Sequence, residues 1–242
     1  MSKKIEKIQT LDVGEVIAKG WQIFKENVGF YSLIGLICFA IHFLIKVLFK
    51  GGFLSSALTY FVNAIFGIIF ISLSIEALKG EKIPISIEKL VDYLKKNLDV
   101  LLIYIIASFL YTVAVGIGLV LLIVPGIFLA VKLYFYPFEI ILKKPDDLFE
   151  SFKKSYEITK GNFFPLLILG IIIGIIMGIS AIPMGLGLIF TVPFSWAVGT
   201  VTYVKLTSEL EKEKTNVETE NQNLNEKEEQ TEKNKEKTQS QE

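Results

Sequence analysis

The sequence predicts an all-α membrane protein whose six transmembrane helices form three repeated units, each an interfacial helix followed by a helical hairpin. Three observations lead there. Apolar residues make up 52% of the 242 positions, yet the charges are segregated rather than spread. Residues 28–49, 53–78, 98–142 and 163–206 carry almost no charge. About 20 apolar residues cross a hydrocarbon core of about 30 Å, so the first two stretches are one span each and the last two are pairs. Finally, the lysines flank these stretches on one side only.

Residues 1–27 form a polar, amphipathic lead-in. Asp12 and Glu15 read as the capping box of a helix on which Val13, Val16, Ile17, Gly20 and Phe24 share a face. This segment does not look like a cleavable signal, because the apolar run after it is too long for an h-region; the first span is expected to act as an uncleaved anchor. Spans follow at 28–49 and 53–78, joined at GGFL. A second amphipathic stretch starts near Ser86 and aligns Ile87, Leu90, Val91, Leu94 and Leu98. Spans at about 98–117 and 124–142 are joined through GIGLVLLIVP. A third amphipathic helix follows Asp146 or Asp147, with Phe149, Phe152, Tyr156 and Phe163 on one face. Spans at 163–182 and 187–206 are joined through GLGLIFTVP. The transmembrane domain is therefore 1–206. Such lysine-bearing amphipathic helices suit the headgroup plane.

The lysines give a topology. Lys3, Lys4, Lys7, Lys19 and Lys25 precede the first span; Lys79, Lys82, Lys89, Lys95 and Lys96 lie between spans two and three; Lys143, Lys144, Lys153, Lys154 and Lys160 lie between spans four and five. The opposing connections hold only Lys46 and Lys50. By the positive-inside rule both termini are expected in the cytoplasm, in the cell membrane.

The lysine-rich segments also repeat. IFKENVGFYSLIGLI (23–37), YLKKNLDVLLIYII (93–106) and ITKGNFFPLLILGI (158–171) each place a lysine two residues before an asparagine and then enter an apolar run. Asn27, Asn97 and Asn162 are expected to cap the incoming span or to bond a neighbouring unit. The Gly-rich outer turns of units two and three resemble one another; unit one lacks that motif.

VPGIFLAVKLYFYPF (124–138), FESFKKSYEITKGNFF (149–164) and GEVIAKGWQIFKENVGFY (14–31) resemble a broad group of uncharacterised prokaryotic membrane proteins. That group includes the membrane domain attached to some glycerophosphoryl diester phosphodiesterases. The resemblance covers nearly all of residues 12–206. It implies a helical membrane domain with no established biochemical role; the phosphodiesterase itself is a separate domain for which this chain has no room.

No catalytic constellation is evident, and the protein is not expected to be an enzyme. The single His42 lies near the outer end of the first span without a partner to tune it, and with the single Cys38 it cannot build a zinc site. Ser180 lacks a nucleophile elbow. No catalytic, cofactor or metal residue is assigned, and no cofactor is expected. The chain has no arginine, the usual choice for bidentate phosphate recognition, which argues against nucleic acid as a partner. The bilayer is the expected partner; a protein partner is not specified, and self-association is left open.

Ionisable groups inside spans are costly and mark function by default. Lys132, Glu139, Glu76 and Asp99 are the candidates for an intramembrane polar route, with Lys132 at its base. Alternatively, Lys132 snorkels to the outer interface and the carboxylates are solvated. Residues 207–242 hold 6 Lys and 11 Glu with three aliphatic residues, Leu210, Val217 and Leu224. This polar, acidic tail cannot bury a core and is expected to be disordered. The leading expectation is a structural, accessory or interaction protein of the membrane. The alternative is a transporter or channel with Lys132 and Glu139 on the route.

Overall fold

A computed structural model describes residues 10–50, 52–80, 83 and 86–239, with backbone only for 213, 214 and 216–239. Lys3, Lys4, Lys7, Lys82 and Gly51, all used above, lie outside the described residues, as do 240–242. Ten helices occur among those described: α1 (Val13–Glu26), α2 (Val28–Phe49), α3 (Phe53–Leu78), α4 (Ile87–Lys96), α5 (Leu98–Leu121), α6 (Ile123–Lys132), α7 (Tyr136–Lys143), α8 (Leu148–Ile158), α9 (Phe163–Ala181) and α10 (Leu188–Gln239).

Five helical stretches are long and apolar enough to cross a membrane: α2, α3, α5, the α6–α7 pair over Ile123–Lys143, and α9. The sixth expected span, 187–206, lies in α10 and is not among the five. Its opening turns carry Thr191, Pro193, Ser195, Thr200 and Thr202, which dilute the apolar character that length alone would provide.

The chain divides at Tyr203 into two compact units, Met1–Tyr203 and Val204–Glu242. Within the first, the spans sort by burial. The apolar stretch of α3 is 61% buried, against 17% for α2 and for α5 and 11% for α9. The inner material is Phe66–Leu73 of α3, Phe135–Ile141 around the start of α7, and Ala197–Tyr203 of α10. Helices α3, α7 and the start of α10 thus supply the core, while α2, α5 and α9 present apolar outer faces.

Glycines set how closely these layers approach. A Cβ at Gly20 would strike Val198, one at Gly35 the carbonyl of Ile189, and one at Gly67 the Tyr104 hydroxyl. Gly170, Gly174 and Gly178 on α9 meet nothing. Close backbone approach through small residues is how helices associate where lipid removes the hydrophobic drive between them.

The interfacial helices behave differently from one another. The N-cap Asp12 accepts from the Glu15 amide at 3.1 Å, and Asp147 caps α8 through Phe149 at 3.1 Å. Ser86 occupies the N-cap position of α4 but makes no side-chain cap bond. Helix α1 turns Val16, Gly20, Ile23 and Phe24 into the protein, so its apolar face meets protein rather than headgroups. Helix α4 buries only Tyr93 and leaves Ile87 and Val91 exposed. Helix α8 buries a different face from its aromatic one. Ser151, Ser155 and Ile158 face inward, while Phe149 and Tyr156 of the anticipated aromatic face are exposed.

In the second unit the backbone of α10 is helical to Gln239. No apolar residue follows Leu224, and a helix that is polar all round has no packing face to hold it. Deleting residues 210–242 is expected to leave the protein integrated in carbonate-washed membranes and monodisperse after extraction; loss of integrated protein would refute the tail assignment. Gly35→Ala should lower stability by roughly 1–3 kcal/mol through overpacking, whereas Gly174→Ala should be neutral or slightly stabilising, as melting of the purified chain would report.

Candidate functional site

Two sets of polar residues were singled out by the sequence, and the structure places each. The asparagines stand at three equivalent corners. Asn27 lies between α1 and α2, Asn97 between α4 and α5, and Asn162 between α8 and α9. Their backbones nearly coincide, with φ/ψ of −120°/25°, −123°/15° and −113°/22°. All three side chains are buried.

None of them caps the span it precedes. Asn27 Nδ2 donates back to the Ile23 carbonyl at 3.2 Å and Asn97 Nδ2 to the Tyr93 carbonyl at 2.8 Å, closing the last turn of the preceding helix. The amide oxygens reach forward to other parts of the chain. Asn27 Oδ1 accepts from the Ile83 N–H at 3.2 Å, just ahead of α4. Asn162 Oδ1 accepts from the Leu11 N–H at 2.8 Å, just ahead of α1. At the middle corner the segment leading into α8 contains Pro145, which has no N–H to offer. There the Lys144 ammonium bonds the Lys96 carbonyl and the Asp99 carboxylate, the latter at 3.0 Å. Each corner is therefore gripped by the lead-in to another interfacial helix, and the lead-in to α1 closes the sequence on the third.

The ionisable residues are each held by a different partner. Glu76 binds the Lys89 ammonium and the Tyr93 hydroxyl, both from α4. Burial, and then the hydrogen bond and charge of Glu76, raise the pKa of the Tyr93 hydroxyl and keep it protonated as the donor. Asp99 is exposed and pairs with Lys144. Glu139 is buried at 6% exposure and accepts from the Tyr203 hydroxyl at 2.7 Å. The Tyr203 ring stacks on Phe138 at 5.2 Å.

Lys132 is buried too. Its ammonium donates to the Thr159 carbonyl at 3.2 Å, at the C-terminus of α8, and lies over the rings of Tyr156 and Phe128. Lys132 and Glu139 are separated by a break in the helix at Leu133–Phe135. Pro137 explains the break, because a continuous helix would lose a bond there and its ring would clash with the preceding turn. Lys132 then sits at the negative end of α6 and Glu139 in the first, positive turn of α7, so each charge opposes a half-helix dipole.

The break is closed by residues that the sequence reading passed over. Ser155 Oγ accepts from the Phe135 N–H at 2.9 Å and lies 3.0 Å from the Lys132 carbonyl, to which it donates. Thr159 Oγ1 reaches the same carbonyl at 3.4 Å. The available signal was the i, i+4 spacing of Ser151, Ser155 and Thr159, a small polar stripe opposite the aromatic residues. His42 is placed near Asn63, with Nε2 and Oδ1 2.9 Å apart, and Nδ1 lies 2.8 Å from the Cys38 carbonyl.

Several long apolar helices joined at polar corners define the class as a helical protein compatible with a membrane. More particularly, a family model described as a domain of unknown function, DUF7847, matches residues 11–211, and the chain belongs to that family. No curated protein and no solved structure matches the chain.

Ser155→Ala removes the partner of a buried backbone N–H. It should destabilise the protein by about 1–3 kcal/mol, with Thr191→Val, whose hydroxyl only back-bonds its own helix, near neutral in the same thermal-shift series. Equal effects for the two would refute the sealing role of Ser155.

Proposed function

We propose that this chain is a non-catalytic, multi-pass protein of the cell membrane with a structural, accessory or interaction role. In this reading it has six spans in three repeated units, with both termini in the cytoplasm. The observation that carries it is the use made of the polar residues. Asn27, Asn97 and Asn162 hold three equivalent corners, and Glu76, Asp99, Glu139 and Lys132 are each held by another group of the same chain. Polar groups so occupied stabilise an architecture, and none of these sets presents a nucleophile with its base. The lysine distribution supports the orientation, and the burial of Phe194–Tyr203 supports counting the start of α10 as a sixth span. The resemblance to membrane domains attached to glycerophosphoryl diester phosphodiesterases agrees with an accessory role beside other membrane or lipid-directed activities.

A second reading, transport, is favoured by one observation, the broken helix at Leu133–Phe135 between two buried ionisable residues. Discontinuous helices with exposed half-helix ends form the binding sites of many secondary transporters. Here Ser155 and Thr159 occupy the backbone groups that such a site would leave for substrate.

A Lys132→Cys substitution in a Cys38→Ala background separates the two readings. Under the structural reading the thiol stays unlabelled by a membrane-impermeant reagent applied from either side, while cysteines placed at Lys95 and Lys50 label from opposite sides. Labelling at position 132 would replace the structural reading with the transport one.

A further inference from the structure

Most polar side chains inside the spans are occupied by other groups of the chain. Tyr31 meets Ser74 at 2.8 Å, Tyr136 meets Ser108 at 3.0 Å and Glu139 meets Tyr203 at 2.7 Å. Asn63 departs from that pattern. It is the eleventh of the 26 residues of α3. At about 1.5 Å per residue it lies about 15 Å from Phe53 and about 22 Å from Leu78, near the middle of the span. The residue is exposed, as are the apolar Phe43, Leu44 and Phe61 close by in the sequence. One end of its amide meets His42 of α2, with Oδ1 2.9 Å from Nε2. The other end, the Nδ2 N–H pair, has no partner among the described residues. Turning the amide over exchanges the two ends and still leaves one of them open.

In hydrocarbon an amide end without a partner is costly. Lipid does not supply one at this depth, because headgroups and ester links stand about 15 Å from the midplane of a core about 30 Å thick. The missing group has to come from another membrane helix. A different protein must carry a polar side chain at this one depth; a second copy in the same orientation does so by construction. A two-fold axis along the membrane normal brings both Asn63 side chains to one level. A primary amide is donor and acceptor at once, so two of them close a reciprocal pair of N–H···O bonds. Oδ1 has two lone pairs and accepts the new bond without releasing His42.

The surface of α3 allows the approach. Ser56 and Thr59 lie seven and four residues before Asn63 and share its side of the helix. Their hydroxyls bond the Gly52 and Ser55 carbonyls of their own helix at 3.1 and 2.8 Å. They leave no unmet group, and their small size lets a second backbone come near. We propose that two copies of this chain associate through the Phe53 half of α3, their Asn63 amides bonded to each other and Ser56 and Thr59 lining the contact. The proposal goes beyond the structural reading above and rests on it for residence in the bilayer and a shared orientation.

The test is oxidative cross-linking of the full chain, carrying Cys38→Ala and Ser56→Cys, in membranes of cells that express it. A covalent pair of two copies should form. Cys38→Ala with Phe164→Cys, at an exposed site on α9, should stay single. Adding Asn63→Leu to the Ser56→Cys chain should lower the cross-linked fraction roughly tenfold, whereas Asn63→Gln, which keeps an amide, should retain most of it. No cross-link through Ser56→Cys would overturn the proposal whatever the other variants do. Equal cross-linking through Phe164→Cys would overturn it as random collision, and undiminished cross-linking with Asn63→Leu would remove the amide contact on which it stands. A loss with Asn63→Gln as large as with Asn63→Leu would also count against it. A cross-link to a chain of different mass would give the surface to another protein. Labelling of Asn63→Cys, in the Cys38→Ala background, by a membrane-impermeant reagent would give it to water. Failure of the membrane reading is scored apart, as parent chain found in the soluble fraction without detergent.

Discussion

The constraint on which this structure depends is that a backbone amide or carbonyl released from a helix in an apolar setting must find another partner. In hydrocarbon each unsatisfied group costs several kcal/mol. At three corners and at the break between α6 and α7 the chain leaves a helix with a short polar side chain within reach. Asparagine serves the corners because one amide supplies both a donor and an acceptor. Asn27 uses both, donating to Ile23 and accepting from Ile83. At the break the same requirement is met by hydroxyls, which can accept from an N–H and donate to a carbonyl at once, as Ser155 does.

Packing goes with that arrangement. The helices α3, α7 and the start of α10 supply most of the buried residues, while α2, α5 and α9 are mostly exposed. Large side chains then fill the interior, with Phe66–Leu73, Phe135–Ile141 and Ala197–Tyr203 meeting there. Close approach is possible where glycine removes the Cβ, as at Gly35 over Ile189. The aromatic residues around Glu139 and Tyr203 enclose a carboxylate whose hydrogen bond would be weaker in water.

Much of this was legible in the sequence, and the reasons are physical. Charge segregation marks where apolar helices begin and end, so Val28–Phe49 and Phe53–Leu78 are visible as runs with one charged residue each, Lys46 and Glu76. The asparagine spacing was visible as well, because a lysine followed by an asparagine before an apolar run recurs three times. What the asparagines bond was not, since Ile83 and Leu11 are distant contacts with no local pattern to mark them. The buried face of α8 was not legible: Phe149, Phe152 and Tyr156 stand out by apolar periodicity, while the partner of α8 is a broken helix that needs the hydroxyls of Ser155 and Thr159. The break itself was suggested only by Pro137, which a membrane helix often tolerates. Naming Lys132 and Glu139 for one polar route assumed a continuous helix. The chain interrupts that helix between them.

The bond between the Leu11 N–H and Asn162 joins residues 151 positions apart, and it carries a consequence for biosynthesis. Chains grow at about 5–20 residues per second, so the acceptor for Leu11 emerges roughly 8–30 s after its donor. Throughout that interval α1 is already made, with Val16, Gly20, Ile23 and Phe24 awaiting the partners that later cover them. Gly20 of α1 lies against Val198, which is made later still. The packing of the first helix is therefore complete only when the start of α10 has been synthesised.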